Sequence, residues 1–395
     1  MIHSVRSNNP KFKPVVFHSG FNIVMADRKR GSDTEEKRTR NGAGKTTLVE
    51  IIHFCLGSQV ARNSVFKNEN LKGWSFILEI DIRGKAYCIE RFTDCPGKIY
   101  IDGDLSSLNF DCKYDKSQRR YYVSPGTFNR AMLAEFYGIE TVDNNQQHVP
   151  SFRELISYAI RKNALNEKIA NLSSQRAERM KILETHGALA EYILIQDRYA
   201  KAKQLLEDAK KRLESAEYIE DSKSHLKIES QELLIKSRQD YNERIQTREQ
   251  AISLFKANTE FLYREAGTLT IDLNENGYSF GVDIKSSRSQ GVNYMKVFCY
   301  DMVLAELGHS RTQYPDFLVH DSTIFDGVDE RQVARALMLA LLKSGELGFQ
   351  YICLINSDMV PYQEFDDEFT NQFNNSIVLR ISDEQEDGGL LGIRF

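Results

Sequence analysis

The sequence predicts an α/β fold whose one domain is interrupted by an antiparallel coiled-coil hairpin. Three observations carry this. The 395-residue chain has seven prolines (Pro10, Pro14, Pro96, Pro125, Pro150, Pro315 and Pro361), none between Pro150 and Pro315, and residues 164–265 hold Gly187 as their only glycine. That breaker-free stretch carries 18 Lys+Arg and 18 Asp+Glu, the dense but balanced charge of a solvent-exposed helix. On both sides of it, short apolar runs either alternate with polar residues or lie solid between turn residues, as half-buried and fully buried strands do.

The elements follow in order. Residues 20–25 read as a strand, followed by a charged insertion at 26–40 in which Arg28, Lys29, Arg30, Lys37, Arg38 and Arg40 are interspersed with Asp33, Glu35 and Glu36. The insertion reads as a solvated loop or as a contact to phosphates. Next comes Thr39-Arg-Asn-Gly-Ala-Gly-Lys-Thr-Thr47 and an apolar helix at 48–56. Strand, glycine-rich loop, lysine, hydroxyl and helix together make a phosphate-binding loop. Backbone N–H groups of Asn41, Gly42, Ala43, Gly44 and Lys45 are expected to wrap a β-phosphate, with Thr47 in the same loop. Lys45 is expected to neutralise the β/γ oxygens, and the Thr46 hydroxyl to ligate Mg²⁺. Gly44, Lys45 and Thr46 meet the G-x-x-x-x-G-K-[ST] pattern, whereas Thr39 stands at its first glycine.

Phe76, Leu78, Ile80 and Ile82 alternate and turn at Arg83-Gly84-Lys85 into a strand at 86–92; 99–102 adds another. Lys116, Arg119, Arg120, Tyr121 and Tyr122 mix bases with aromatics, which fits either nucleic-acid contact or a sheet edge guarded by charge. Within the breaker-free stretch, Ala188, Tyr192, Ile195, Tyr199, Ala202, Leu206, Ala209, Leu213 and Ala216 keep a 4-3 spacing, the seam of a coiled coil. A weaker run continues through Leu234, Arg238, Tyr241, Ile245, Arg248, Ile252, Phe255, Thr259 and Leu262, and the polar residues 217–224 are the expected turn between the two arms. Strands at 268–273 and 278–284 flank Asn276-Gly277, a hairpin signal. Helices are expected at 294–307 and 333–342, and buried strands at 317–319, 351–355 and 377–381. The run 317–321 ends in Asp321, the expected second holder of Mg²⁺. The domain reading is thus 1–163 as an N-terminal lobe, 164–265 as the arm and 266–395 as a C-terminal lobe, the two lobes folding together.

Other classes are excluded. No run of about 18 apolar residues exists, and the first 16 residues lack the pattern of a signal peptide. Six cysteines without C-x-x-C spacing read as reduced thiols of a cytoplasmic protein. The eight histidines have no metal spacing; His53 reads as packed, and His320 faces either a nucleotide or the underside of the sheet. A net charge of −4 argues against a whole-surface nucleic-acid coat while allowing a local patch.

With these residues placed, the chain resembles the SMC-like ABC ATPases: structural maintenance of chromosomes proteins, double-strand-break repair ATPases and RecN. It is most similar to a bacterial family named only for a domain of unknown function, found in multi-gene systems linked to anti-phage defence. The resemblance rests on residues 40–57, 151–161, 295–301, 320–332 and 390–395. It implies a P-loop NTPase head of ABC type, ATP and Mg²⁺ as cofactors, a homodimer that sandwiches nucleotide, DNA binding, a separately encoded effector and no membrane. It also implies that Ser289 and Gly291 stand for the signature loop that reaches the partner's nucleotide, and that Asp329 resembles the acid of the loop after the acidic strand. Ser322 occupies the usual place of the catalytic glutamate, with Asp326, Asp329 and Glu330 nearby, so hydrolysis is expected to be slow. Residues 355–358 stand where a switch histidine belongs, and 151–163 hold no glutamine, Arg161-Lys162-Asn163 being the alternative. Two functions follow: an ATP-dependent clamp or sensor of DNA, or a regulatory ATPase that controls a protein partner through its coiled coil.

Overall fold

The computed structural model describes residues 1–27, 44–61, 64–82, 84–103, 112–137, 189–274, 277–284, 290–309, 316–382 and 387–393. In chain order its elements are β1 (Ile2–Ser7), β2 (Val15–Val16), β3 (Phe21–Asp27), α1 (Lys45–Cys55), β4 (Ser75–Ile82), β5 (Lys85–Phe92), β6 (Ile99–Asp102), β7 (Lys113–Asp115), β8 (Arg120–Val123) and α2 (Pro125–Tyr137). Then come α3 (Leu189–Glu243), α4 (Ile245–Tyr263), β9 (Thr268–Asn274), β10 (Gly277–Asp283), α5 (Gln290–His309), β11 (Phe317–His320), α6 (Glu330–Leu347), β12 (Gln350–Asn356), α7 (Asp367–Asn375) and β13 (Ile377–Ser382). Two compact units form. One is Met1–Val142 with Ile245–Asp272 and Ser279–Phe395; the other is Asp143–Arg244 with Leu273–Tyr278.

The first unit is built from both ends of the chain. Its parallel sheet runs β11-β12-β3-β13, so β3, from the N-terminal end, pairs with β12 and β13 from the C-terminal end. Period 2 sends alternate residues to opposite faces. Val24, Ile352 and Leu354 join Leu48, Ile51 and Phe54 of α1 in one core. Ile23, Met25, Tyr351, Cys353 and Ile355 join Phe255, Phe298 and Leu337 of α4, α5 and α6 in the other. Burial on both faces explains why these strands read as solid apolar runs. A second, antiparallel sheet runs β2-β1-β4-β5-β6-β8-β7. Here Phe76, Leu78, Ile80 and Ile82 are buried as their alternation predicts, and Gly84, at φ 72°, makes the tight turn from β4 to β5.

Arg91 fastens this sheet to the end of α1. It is almost fully buried, yet no carboxylate among the described residues bonds it. Its Nε donates to the Pro96 carbonyl at 2.8 Å, and its Nη1 donates to the carbonyls of Phe54 and, at 2.9 Å, Ser58, while the guanidinium lies 4.3 Å from the Phe54 ring. A cation at a helix C-terminus satisfies carbonyls that have no intrahelical donor. Burial lowers its pKa to about 10, still far above neutrality. Arg91→Ala is expected to cost about 3–5 kcal/mol, since several buried carbonyls lose charged donors at once. Arg91→Lys should recover only part of this, because one ammonium cannot reproduce the planar fork. Urea unfolding of the two variants checks it.

In the second unit, α3 is one unbroken helix of 55 residues. The turn expected at 217–224 therefore does not form: Glu-Tyr-Ile-Glu-Asp-Ser-Lys-Ser contains neither Gly nor Pro, and polar residues alone do not stop a helix. Of the expected seam, Ala202, Leu206 and Ala209 are buried among exposed neighbours. Residues 164–188, including Leu165, Ile169 and Leu172, lie outside the described residues. At Tyr278, the ring sits 6.1 Å from that of Tyr241 and its hydroxyl donates to Asp240 at 2.9 Å. Residues 245–263, expected to belong to the arm, form α4 in the first unit. Phe255, Thr259 and Leu262 there are fully buried, Phe255 and Leu262 in the core with Met295 and Leu337.

Candidate functional site

The site assembles where β3 gives way to α1. Gly44 caps α1 in the left-handed region at φ 92°, a conformation that favours glycine. A Cβ on Gly44 would also lie 2.9 Å from Cβ of Leu390. Leu390 is fully buried, and its segment is held by Lys13, whose N donates to the Leu390 carbonyl at 2.9 Å and whose Nζ donates to the Gly388 carbonyl at 2.6 Å. Leu390 thus packs against Gly44, where the phosphate loop enters α1. Asn41, Gly42 and Ala43 lie outside the described residues, and Thr47 sits half-buried in the first turn of α1.

Lys45 is only 6% exposed. Its ammonium donates to Ser322 Oγ at 3.2 Å and to Asn356 Oδ1, both neutral acceptors. Burial lowers its pKa, opposed by the nearby charges of Asp321, Asp358 and Asp326. A buried cation whose direct partners are neutral oxygens has capacity left for an anion. One residue on, Thr46 Oγ1 donates to Asp321 Oδ2 at 3.1 Å. Asp321 follows β11, and its Oδ1 accepts the Ser322 N–H at 2.8 Å, which fixes its orientation. β12 lies between β11 and β3, so Asn356, at the end of β12, reaches Lys45 from between them.

These residues fit a nucleotide with magnesium. No group of three or more His, Cys, Asp and Glu able to hold a metal occurs among the described residues. One hydroxyl and one carboxylate suffice for Mg²⁺, which keeps several waters and takes phosphate oxygens as ligands.

The structure sorts the remaining sequence candidates. Ser322 stands beside Lys45. Asp326 is exposed at the end of the short 3₁₀ turn Ser322–Phe325. Asp329 instead caps α6, accepting from the Arg331 N–H and its Nε, each at 3.1 Å, and the hydrogen bond from the Arg331 side chain holds its carboxyl below the usual range. Gly291 is buried near the start of α5. A Cβ there would collide with the Gly327 carbonyl, so this glycine lets α5 close onto the loop between Asp326 and Asp329. Ser289 lies outside the described residues, as do the sensing candidates Arg161, Lys162 and Asn163. His320 faces away from Lys45: its Nδ1 meets the Tyr351 hydroxyl at 2.9 Å and its Nε2 meets Asp301 at 3.1 Å. Arg120 is bonded to Glu90 and Asp102, which takes it out of any nucleic-acid patch.

Asn356, one of the residues 355–358 that stand where a switch histidine belongs, meets Lys45, a contact its spacing does not predict. The same signal that marks Asp321, a polar side chain at the end of an apolar strand, marks it too.

No helix among the described residues is long and apolar enough to cross a membrane. Among curated proteins no sequence matches the chain. Among solved structures, the Smc head domain with an extended coiled coil bound to the C-terminal domain of ScpA, from Pyrococcus furiosus, is 15% identical with a TM-score of 0.46, over 98% of this chain and 94% of that one. The recombination mediator protein RecF with ATP, of the RecFOR pathway, is 12% identical with a TM-score of 0.37, over 90% and 92%. Residues 258–395 match the family described as uncharacterised protein conserved in bacteria (DUF2326), and residues 38–260, more than half of the chain, match the AAA domain family. The strand before the phosphate loop, near one end of the sequence, and the acidic strand, near the other, lie in one sheet, and the chain belongs to the AAA domain family.

Proposed function

We propose that the protein binds ATP with Mg²⁺, that nucleotide joins two copies head to head, and that the closed pair engages DNA alongside a separately encoded effector in a bacterial defence or repair system. The observation that carries this is the meeting of Lys45, Ser322 and Asn356 beside the Thr46–Asp321 pair. Lys45 holds the phosphates, and Thr46 with Asp321 holds the metal. The bound metal and phosphates supply the reactive centre; this chain's residues bind, orient and balance charge around it. Ser322, a neutral hydroxyl in the place of an acid, favours a long-lived closed state over rapid turnover. Head closure draws on Gly291 and Ser289 of each copy.

DNA contact is supported by the edge strand β7 and its neighbour β8. Tyr114 and Tyr121 are 52% and 56% exposed and pack edge-on at 5.1 Å, with Lys113, Lys116 and Arg119 exposed around them. Exposed rings among bases suit stacking and phosphate contact. A different observation favours the protein-partner reading: Leu205, Ile228, Leu233 and Ile235 of α3 are 51–65% exposed, apolar surface that a helical partner could cover.

One experiment separates the readings. Sedimentation and ATPase rate are measured with ATP and Mg²⁺, with and without linear DNA, as salt rises from low to physiological. The clamp is expected to show ATP-dependent dimers and DNA binding that weakens as salt rises. Dimers with no DNA binding at low salt would leave the protein-partner reading, and monomers throughout would remove both.

A further inference from the structure

A groove of about 650 Å³ runs between α4, α6 and α7, away from Lys45 and Asp321. Its floor is apolar. Met338, Leu341, Leu342 and Gly345 of α6 line it at i, i+3, i+4 and i+7, joined by Phe261 of α4 and Phe369 of α7. Residues so spaced form one stripe of a helix, and such stripes are normally covered. Here Leu342 is 46% and Phe261 40% exposed.

Two further features say what covers it. The rim is acidic. Glu346, Asp366 and Glu368 line the groove, and no lysine or arginine does. Asp366 accepts the Phe369 N–H and Glu368 accepts from Gln372, but none of the three acids has an ion-pair partner among the described residues. The second feature is Gly345. It lies inside α6, where glycine weakens a helix relative to alanine. A Cβ there would meet nothing within 4 Å, so packing within the chain does not require it. A glycine on an uncovered helical stripe lets another backbone approach closely.

We infer that this groove is the docking seat for a basic amphipathic helix of a separate partner protein, its apolar face on α6 and its lysines or arginines against Glu346, Asp366 and Glu368. A helix is the occupant that a ridge of i, i+3, i+4 and i+7 residues accepts, and the uncompensated rim selects positive charge. The docking does not depend on the nucleotide reading.

The test uses the full chain and a fluorescein-labelled synthetic peptide of about 18 residues, long enough for about five helical turns. The peptide carries leucines at i, i+3, i+4 and i+7 and lysines on the flanks; a counterpart carries glutamates for the lysines. Fluorescence anisotropy is expected to show binding of the lysine peptide and none of the glutamate peptide. Gly345→Leu, which fills the groove, and the pair Glu346→Lys with Glu368→Lys should each weaken binding about tenfold or more, with the unfolding midpoint and ATP affinity retained. Failure of the lysine peptide to bind overturns the inference, as does equal binding by the variants or by the glutamate peptide. A concentration-dependent dimer of the chain that Gly345→Leu abolishes would assign the groove to a second copy and overturn it too.

Discussion

Replacing Lys45 by alanine is expected to weaken ATP binding at least about a hundredfold, equivalent to about 3 kcal/mol. The magnitude follows from what the ammonium balances. Lys45 is buried, and the charges acting on it are the carboxylates of Asp321, Asp358 and Asp326. Without it, a triphosphate would enter a site with acids and, among the described residues, no other buried cation, and removing one partner of a buried charged contact typically costs a few kcal/mol. The sign of the pH dependence follows from its burial. Desolvation lowers the Lys45 pKa in the free protein, and a bound anion favours the protonated form. ATP affinity should therefore fall as pH rises through that lowered value, below where an ordinary lysine loses its proton. Calorimetric titration of wild type and Lys45→Ala at neutral and alkaline pH checks both points. Equal affinity for the two proteins would sink the assignment of the phosphate site.

The phosphate loop, its strand and helix, the alternation of β4 and the acidic end of β11 were legible in the sequence because each is local. A loop of fixed spacing and a period of 2 need no knowledge of distant contacts. What closes the site is not local. Asn356 meets Lys45 across 311 positions, and Leu390 reaches Gly44 from near the other end of the chain. The Leu390 contact leaves no trace in its own neighbourhood, and Asn356 is marked only by its polar side chain at the end of β12. The arm shows the reverse case. Its 4-3 spacing matches buried residues from Ala202 to Ala209, but the same spacing continues into α4. Phe255, Thr259 and Leu262 repeat the spacing because one face of α4 enters the head core, and over two or three turns a seam and a core-facing stripe look the same. Polarity at 217–224 was read as a turn where no residue could break the helix.

Ser322→Glu is expected to raise the rate of ATP hydrolysis about a hundredfold, within the range of about 10²–10⁴ that a positioned general base contributes. Ser322 lies beside Lys45 and directly after Asp321. Its hydroxyl is neutral near pH 7 and cannot take a proton from water. The acids nearby do not replace it: Asp329 is held low by Arg331 at the cap of α6, Glu330 accepts from Gln363, and Asp326 is exposed. A glutamate at 322 would lie near the Lys45 ammonium, which offsets the cost of burying its charge. The longer side chain fills a buried position, so about 1–3 kcal/mol of stability is expected to be lost to packing, visible as a lower unfolding midpoint. Ser322→Gln separates chemistry from bulk, because it has nearly the same shape and no basic oxygen pair. Phosphate release at saturating ATP and Mg²⁺ should rise for Ser322→Glu and not for Ser322→Gln. If both variants sped up alike, the gain would come from space at the site. If neither did, the slow step would lie outside proton transfer, and the proposed role of Ser322 would fall.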